Sequence, residues 1–93
     1  MKWQMETFLQ LSPVAQAVLL HFRDTNARAG DDIPVTSIVS AISLRKGFRI
    51  RETVNGIDEC VSAQWVRKVR GPSGQPDRIA LTTEGFGMLL FMP

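Results

Sequence analysis

Residues 71–76, Gly-Pro-Ser-Gly-Gln-Pro, constrain the chain more than any other stretch. Two prolines without a backbone donor and two glycines suit neither a helix interior nor a central strand, so the segment is a turn. Runs able to pair stand on both sides: Trp65 to Arg70 before it and Arg78 to Leu81 after it. The chain is thereby committed to a hairpin with its turn spanning Gly71 to Asp77. Alternation in the first run is imperfect, because Trp65 and Val69 share a face with Arg67. Arg67, Lys68 and Arg70 precede the turn and Arg78 follows it. A hairpin tip has little core to protect, so these cations are either solubilising charge or a surface for something anionic.

The rest of the chain reads as short amphipathic helices. Ser12-Pro13 is a start signal, a hydroxyl cap followed by proline at the first helical position. Ala15, Val18, Leu19 and Phe22 keep the helical period, and the helix fades in TNARAGDD. Met5, Phe8 and Leu9, led by Trp3, suit a further short helical segment ahead of it. Ile33-Pro34-Val35 is extended, since the residue before a proline is driven out of the α region. Thr36 is placed to cap a second helix with Val35, Ile38, Val39 and Ile42 on one face, ended by Gly47. Ile50, Val54, Ile57 and Val61 form the stripe of a third helix running to about Gln64. Asn55-Gly56 leaves a rival hairpin reading of that segment open, but the stripe is long and IDECVSAQ is a poor strand. Thr82 caps a last helix, with Glu84 in its first turn complementing the dipole.

The chain has 93 residues, 44% hydrophobic and 22% charged, the proportions of one globular domain over residues 1–93. Net charge is only +2, but its distribution is uneven. Residues 1–44 carry net −1, whereas residues 45–78 carry eight cations against four acids. A basic middle flanking one helix points toward nucleic acid. The opening MKWQMETFLQ lacks a continuous apolar run, and no apolar run approaches a membrane span, so a cytoplasmic protein is expected. Cys60 is the only cysteine and His21 the only histidine, which leaves no zinc site to assemble. No phosphate-binding glycine loop or nucleophile–base pairing is visible. Neither catalysis nor a metal or cofactor is expected.

The order helix, short strand, helix, helix, hairpin, helix resembles the winged helix-turn-helix of MarR-like and PadR-like bacterial regulators. Thr53-Val54 stands where those families carry a Thr-Val pair near the start of the recognition helix. Gln64-Trp65-Val66 takes the place of their Gly-Leu-Val strand entry. Arg67, Lys68, Arg70 and Arg78 stand as the basic wing, and Leu81-Thr82-Thr83-Glu84-Gly85 fits their L-T-x-x-G helix opening. The resemblance covers roughly residues 12 to 90. It implies an α+β fold with a three-helix core, a two- to three-stranded β-wing and short terminal helices. It further implies a transcriptional regulator, a repressor acting as a homodimer on double-stranded DNA.

In such a domain the third helix enters the major groove and the wing holds phosphates. Arg49, Arg51, Thr53 and Asn55 are then the reading candidates. Arg45, Lys46, Arg67, Lys68, Arg70 and Arg78 are the positioning set. Apolar groups crowd both ends of the chain: Trp3, Phe8 and Leu9 in residues 1–11, and Phe86, Leu89 and Leu90 in residues 82–93. Either the two ends pack together within one chain or they form the interface of a dimer, the arrangement the resemblance favours. The resembled families also take small aromatic or lipophilic effectors near that junction. The competing functional class is a protein-interaction module of the same fold, its cations plain surface charge.

Overall fold

The first full helix, α1 (Pro13–Asp24), begins at the expected cap: the Ala15 amide donates to Ser12 Oγ at 3.2 Å. The computed structural model describes residues 8–72, 74 and 77–90. Residues 8–10 are helical, while Trp3 and Met5 of the expected leading segment lie outside the described residues. After α1 come β1 (Asp32–Pro34), α2 (Val35–Lys46), α3 (Ile50–Ser62), β2 (Val66–Val69), β3 (Arg78–Leu81) and α4 (Thr83–Leu90). The strands form one antiparallel sheet in the order β1-β3-β2. The architecture is α+β, with helices packed around one small sheet.

Two expectations about helix ends are corrected. Thr36 does not cap α2; the helix starts at Val35, and Pro34 occupies the cap without a side-chain bond. The Val35 amide donates instead to the Asp77 carbonyl at 2.9 Å, so backbone from the far end of the hairpin does the capping. The third helix ends at Ser62 rather than Gln64. Gln64 lies just beyond it with φ of 65°, in the left-handed region. Trp65 N donates to Cys60 O and Gln64 N to Val61 O, the paired bonds of a Schellman stop. α1 stops the same way through Asn26, whose φ is 57°. Gly47 ends α2 as expected, with φ of 76°.

The core gathers Phe22, Leu19, Ile38, Ile57, Trp65, Ile79, Leu81 and Met88 from both helices and sheet. The inward stripe of α3 also differs from the expected one. Thr53, Gly56, Ile57 and Cys60 are buried, whereas Ile50 and Val54 are exposed. Close approach of α1 decides this rotation. A Cβ on Gly56 would lie 2.9 Å from Val14 Cγ1 and 3.1 Å from the Ala15 amide nitrogen. Cys60 Sγ donates to the Ala15 carbonyl at 3.3 Å, and the Ser12 amide to Glu59 Oε2 at 2.7 Å. The hairpin reading of Asn55-Gly56 therefore fails: the glycine is a packing contact between two helices.

The LTTEG segment is a joint between α4 and β2. Thr82 Oγ1 lies 2.7 Å from the Gln64 carbonyl and 2.8 Å from that of Trp65, and accepts from Gly85 N at 2.9 Å. A Cβ on Gly85 would collide with the Trp65 carbonyl oxygen, while one on Gly87 in the same helix would meet nothing. The two glycines should respond oppositely to alanine. Gly85→Ala should lower stability by about 1–3 kcal/mol through overpacking. Gly87→Ala should raise it by about 0.5–1 kcal/mol through helix propensity. Urea unfolding of both variants checks the pair; equal shifts of one sign would refute the contact.

Candidate nucleic-acid interface

The outward face of α3 follows from its buried one. With Thr53, Gly56, Ile57 and Cys60 turned inward, Ile50, Arg51, Val54, Asn55 and Asp58 occupy an arc of about 140° on the other side, at 100° per residue. None of these five is buried. Thr53, expected among the reading residues, is removed from the outward set. Its side chain is fully buried and its hydroxyl donates to the Arg49 carbonyl at 3.1 Å. A β-branched hydroxyl residue can satisfy its own polar group on the preceding turn, which makes it tolerable in a core.

Arg45 and Lys46 form the last turn of α2 and Arg49 is the N-cap of α3, so three residues carry the chain between the helices. The Arg49 amide donates to Glu52 Oε1 at 3.0 Å, fixing the entry to α3. Arg45, Lys46, Arg49 and Arg51 are all exposed, and none has a carboxylate partner among the described residues. The uncompensated positive charge is concentrated at the α2–α3 turn and the start of α3.

The hairpin cations are distributed differently, because strand side chains alternate between faces. Lys68 stands opposite Ile79, on the face that also carries Val66 and Leu81 and packs inward. Its ammonium reaches Asp58 at 3.4 Å, bridging β2 to the outward arc of α3. Arg67 and Arg78 belong to the opposite face. Arg78 donates to Asp32 at 2.9 Å, and Arg67 lines a hollow with Thr83 and Glu84. Arg70, at the end of β2, folds over the turn with Nη1 donating to the Gly74 carbonyl at 3.3 Å. Of the four expected wing cations, Lys68 stands beside α3 and Arg70 at the hairpin end. The other two are set on the far side of the sheet.

The apolar ends are also sorted. Phe8 and Leu89 are buried in the chain's own core, and Phe86 packs partly against it. These three are committed within the chain by ordinary burial of large apolar side chains. Leu9 and Leu90 remain 63% and 67% exposed, and Trp3 lies outside the described residues. A second surface feature missed in the sequence is a cleft of about 330 Å³ between α1 and α2, lined by Leu20, His21, Ala41, Arg45 and Phe48. Its residues come from separate segments and carry no local motif. Burial lowers the His21 pKa, and Arg45 lowers it further against the opposing pull of Asp24.

Among the described residues no His/Cys/Asp/Glu group could hold a metal, and no helix is long and apolar enough to cross a membrane. Cys60 is inert rather than reactive: burial, aided by Glu59, pushes its thiol up to about 12. In the unfolded chain the same thiol ionises near 9.0, so unfolding releases a proton between those values. Its contribution is fully present below the lower value and is lost as pH rises toward the upper one. Stability should therefore fall more steeply above pH 9 in the parent chain than in Cys60→Ala, measured by urea unfolding. Parallel curves would show that the thiol titrates alike in both states.

Comparison with known proteins finds no matching family model, curated protein or solved structure.

Proposed function

We propose that this chain is a winged helix-turn-helix DNA-binding regulator that docks α3 in the major groove. The observation that carries the reading is the outward arc of α3. It holds Arg51 and Asn55, neither needed by the core, and follows Arg45, Lys46 and Arg49, three exposed cations without acidic partners among the described residues. Guanidinium and carboxamide groups are the side chains that pair bidentately with guanine and adenine edges. The sheet order β1-β3-β2, with the β2–β3 hairpin following α3, supports the same fold. The Lys68–Asp58 bridge sets one row of β2 against the reading face, as a wing requires. In this reading Arg45, Lys46, Arg49, Lys68 and Arg70 hold phosphates, while Arg67 and Arg78 contribute mainly to the general field.

Association with duplex DNA should weaken steeply with salt. Each neutralised phosphate contributes about 0.9 to the log–log slope, so the five phosphate-holding cations give about −4.5 per bound chain. Arg45→Ala and Lys46→Ala should weaken all duplexes alike and flatten the slope. Arg51→Ala and Asn55→Ala should relax preference at particular base pairs, by about 1–3 kcal/mol of discrimination each. Selection from random duplexes followed by salt-dependent titration measures both. Absence of duplex binding at low salt would transfer the reading to a protein-interaction module, which the exposed Leu9, Leu44 and Leu90 favour.

A homodimer on a two-fold site, and repression through it, belong to the same proposal. Among the described residues, Leu9 and Leu90 are the apolar groups at the chain ends left to form the seam. Two domains on one duplex share a single association cost, so a dimer binds far more tightly than one domain. Because Leu90 is exposed, Leu90→Asp should fold normally yet sediment as a monomer and lose cooperative binding. A parent chain that is already monomeric at roughly tens of micromolar, by sedimentation, would eliminate the dimer.

A further inference from the structure

Two aliphatic side chains sit where a plain solvated helix would carry polar ones. Ile50 is 65% exposed and Val54 40% exposed, and they lie one turn apart on the outward arc of α3. Arg51 and Asn55 run beside them in a parallel i, i+4 pair. The patch is short and lies within five residues, along the chain, of Arg45, Lys46, Arg49 and Arg51, none of which has a carboxylate partner among the described residues. An apolar protein face laid over it would strip water from cations that have no carboxylate partner among the described residues, a costly arrangement. A nucleic-acid duplex brings phosphates for the cations and offers apolar groups at its base edges. In the major groove that apolar group is the thymine C5 methyl.

We infer that Ile50 and Val54 recognise thymine methyl groups, next to an adenine read by Asn55, so that the bound site contains an A·T-rich step at the start of α3. The inference rests on the DNA-binding reading above and names the bases that surface prefers. Geometry gives the two rows distinct tasks. Asn55 can accept from adenine N6 and donate to N7, a pairing no other base offers. Ile50 and Val54, about 40° apart on the wheel, face one neighbouring stretch of groove where they exclude water from the methyls. Arg49 and Arg51 remain free for phosphate or guanine at the flanks. Residues near the start of a groove-bound helix are those closest to base edges, and Ile50 is the first residue of α3. Leu44 has no part in this, since it belongs to α2 and lines a groove with Ser37, Ser40 and Arg45.

The test uses the full chain and the duplex selected from a random pool. Each thymine of the selected site is replaced singly by deoxyuridine, which removes the methyl and keeps every hydrogen-bonding group. Affinity should fall about fourfold at one or two positions, the loss expected for one buried methyl-sized group. Ile50→Ala or Val54→Ala should abolish the thymine–uracil difference at its own position while retaining salt-sensitive binding. Both side chains are exposed, so circular dichroism should show the parent fold. Tight binding with no thymine–uracil difference at any position, or a selected site without thymine, overturns the inference and leaves the DNA reading standing. Failure to bind any duplex at low salt overturns the reading itself. Binding of an acidic peptide that Ile50→Ala and Val54→Ala weaken would then assign the patch to a protein.

Discussion

The close contact between the start of α1 and the middle of α3 sets everything outside it. Gly56 lets the two backbones approach until a methyl group would touch Val14 and the Ala15 amide. Cys60 and Glu59 then bond to Ala15 and Ser12 of the same turn. These groups allow little rotation of α3 about its axis. A turn of one residue position, about 100°, would carry Ile57 out of the core and Asn55 into it. Which residues the helix offers to a partner is thus determined from behind, by the small residues it hides.

This is also why the sequence misleads at α3 while serving well elsewhere. Ser12-Pro13, Gly47 and Thr82 mark helix ends through local chemistry, and all three act as expected. The Gly/Pro turn likewise yields the hairpin and its returning strand Arg78–Leu81. In the apolar stripe Ile50, Val54, Ile57, Val61 the last two pack as expected, while Ile50 and Val54 fail because hydrophobic periodicity assumes that the largest apolar side chains point inward. Here the inward face is built for proximity, and Thr53, Gly56 and Cys60 occupy it instead. Gly56 counts as a weakness when judged by helix propensity, and its reason lies 42 residues away at Val14. No local rule reaches that far. Thr36 fails for a related cause: the helix starts one residue earlier, at Val35, whose amide is met by the Asp77 carbonyl, across the hairpin.

The candidate site divides along the same line. The cations of residues 45–51 could be found from composition, since their exposure depends on nothing distant. Those of the hairpin could not be assigned to one side from composition alone. Strand alternation puts Lys68 on the face toward α3 and Arg67 and Arg78 on the other, and Asp32 then binds Arg78. A charge count treats the four as one wing. The register separates them, because directly opposed residues Arg67 and Ala80, or Lys68 and Ile79, must share a face.

Gln64 joins these observations. Its place between α3 and β2 demands a left-handed backbone, which a glycine would adopt without strain. The chain holds Gln64 there by surrounding it. Trp65 N bonds back to Cys60 O, and Thr82 Oγ1 lies within hydrogen-bond reach of the carbonyls of both Gln64 and Trp65. The same Thr82 oxygen accepts from Gly85 N, so the end of α3, the start of β2 and the first turn of α4 meet at one hydroxyl. Gly85 is small because that meeting leaves no room beside the Trp65 carbonyl. The position of the hairpin relative to α3 is therefore set by this joint at one end of the helix, and the Lys68–Asp58 bridge spans the two along the helix face. An exposed ion pair contributes little stability by itself. With the backbone already fixed at Trp65, its role is to orient side chains: it holds Lys68 and Asp58 together and leaves Arg51, Val54 and Asn55 uncovered on the same arc.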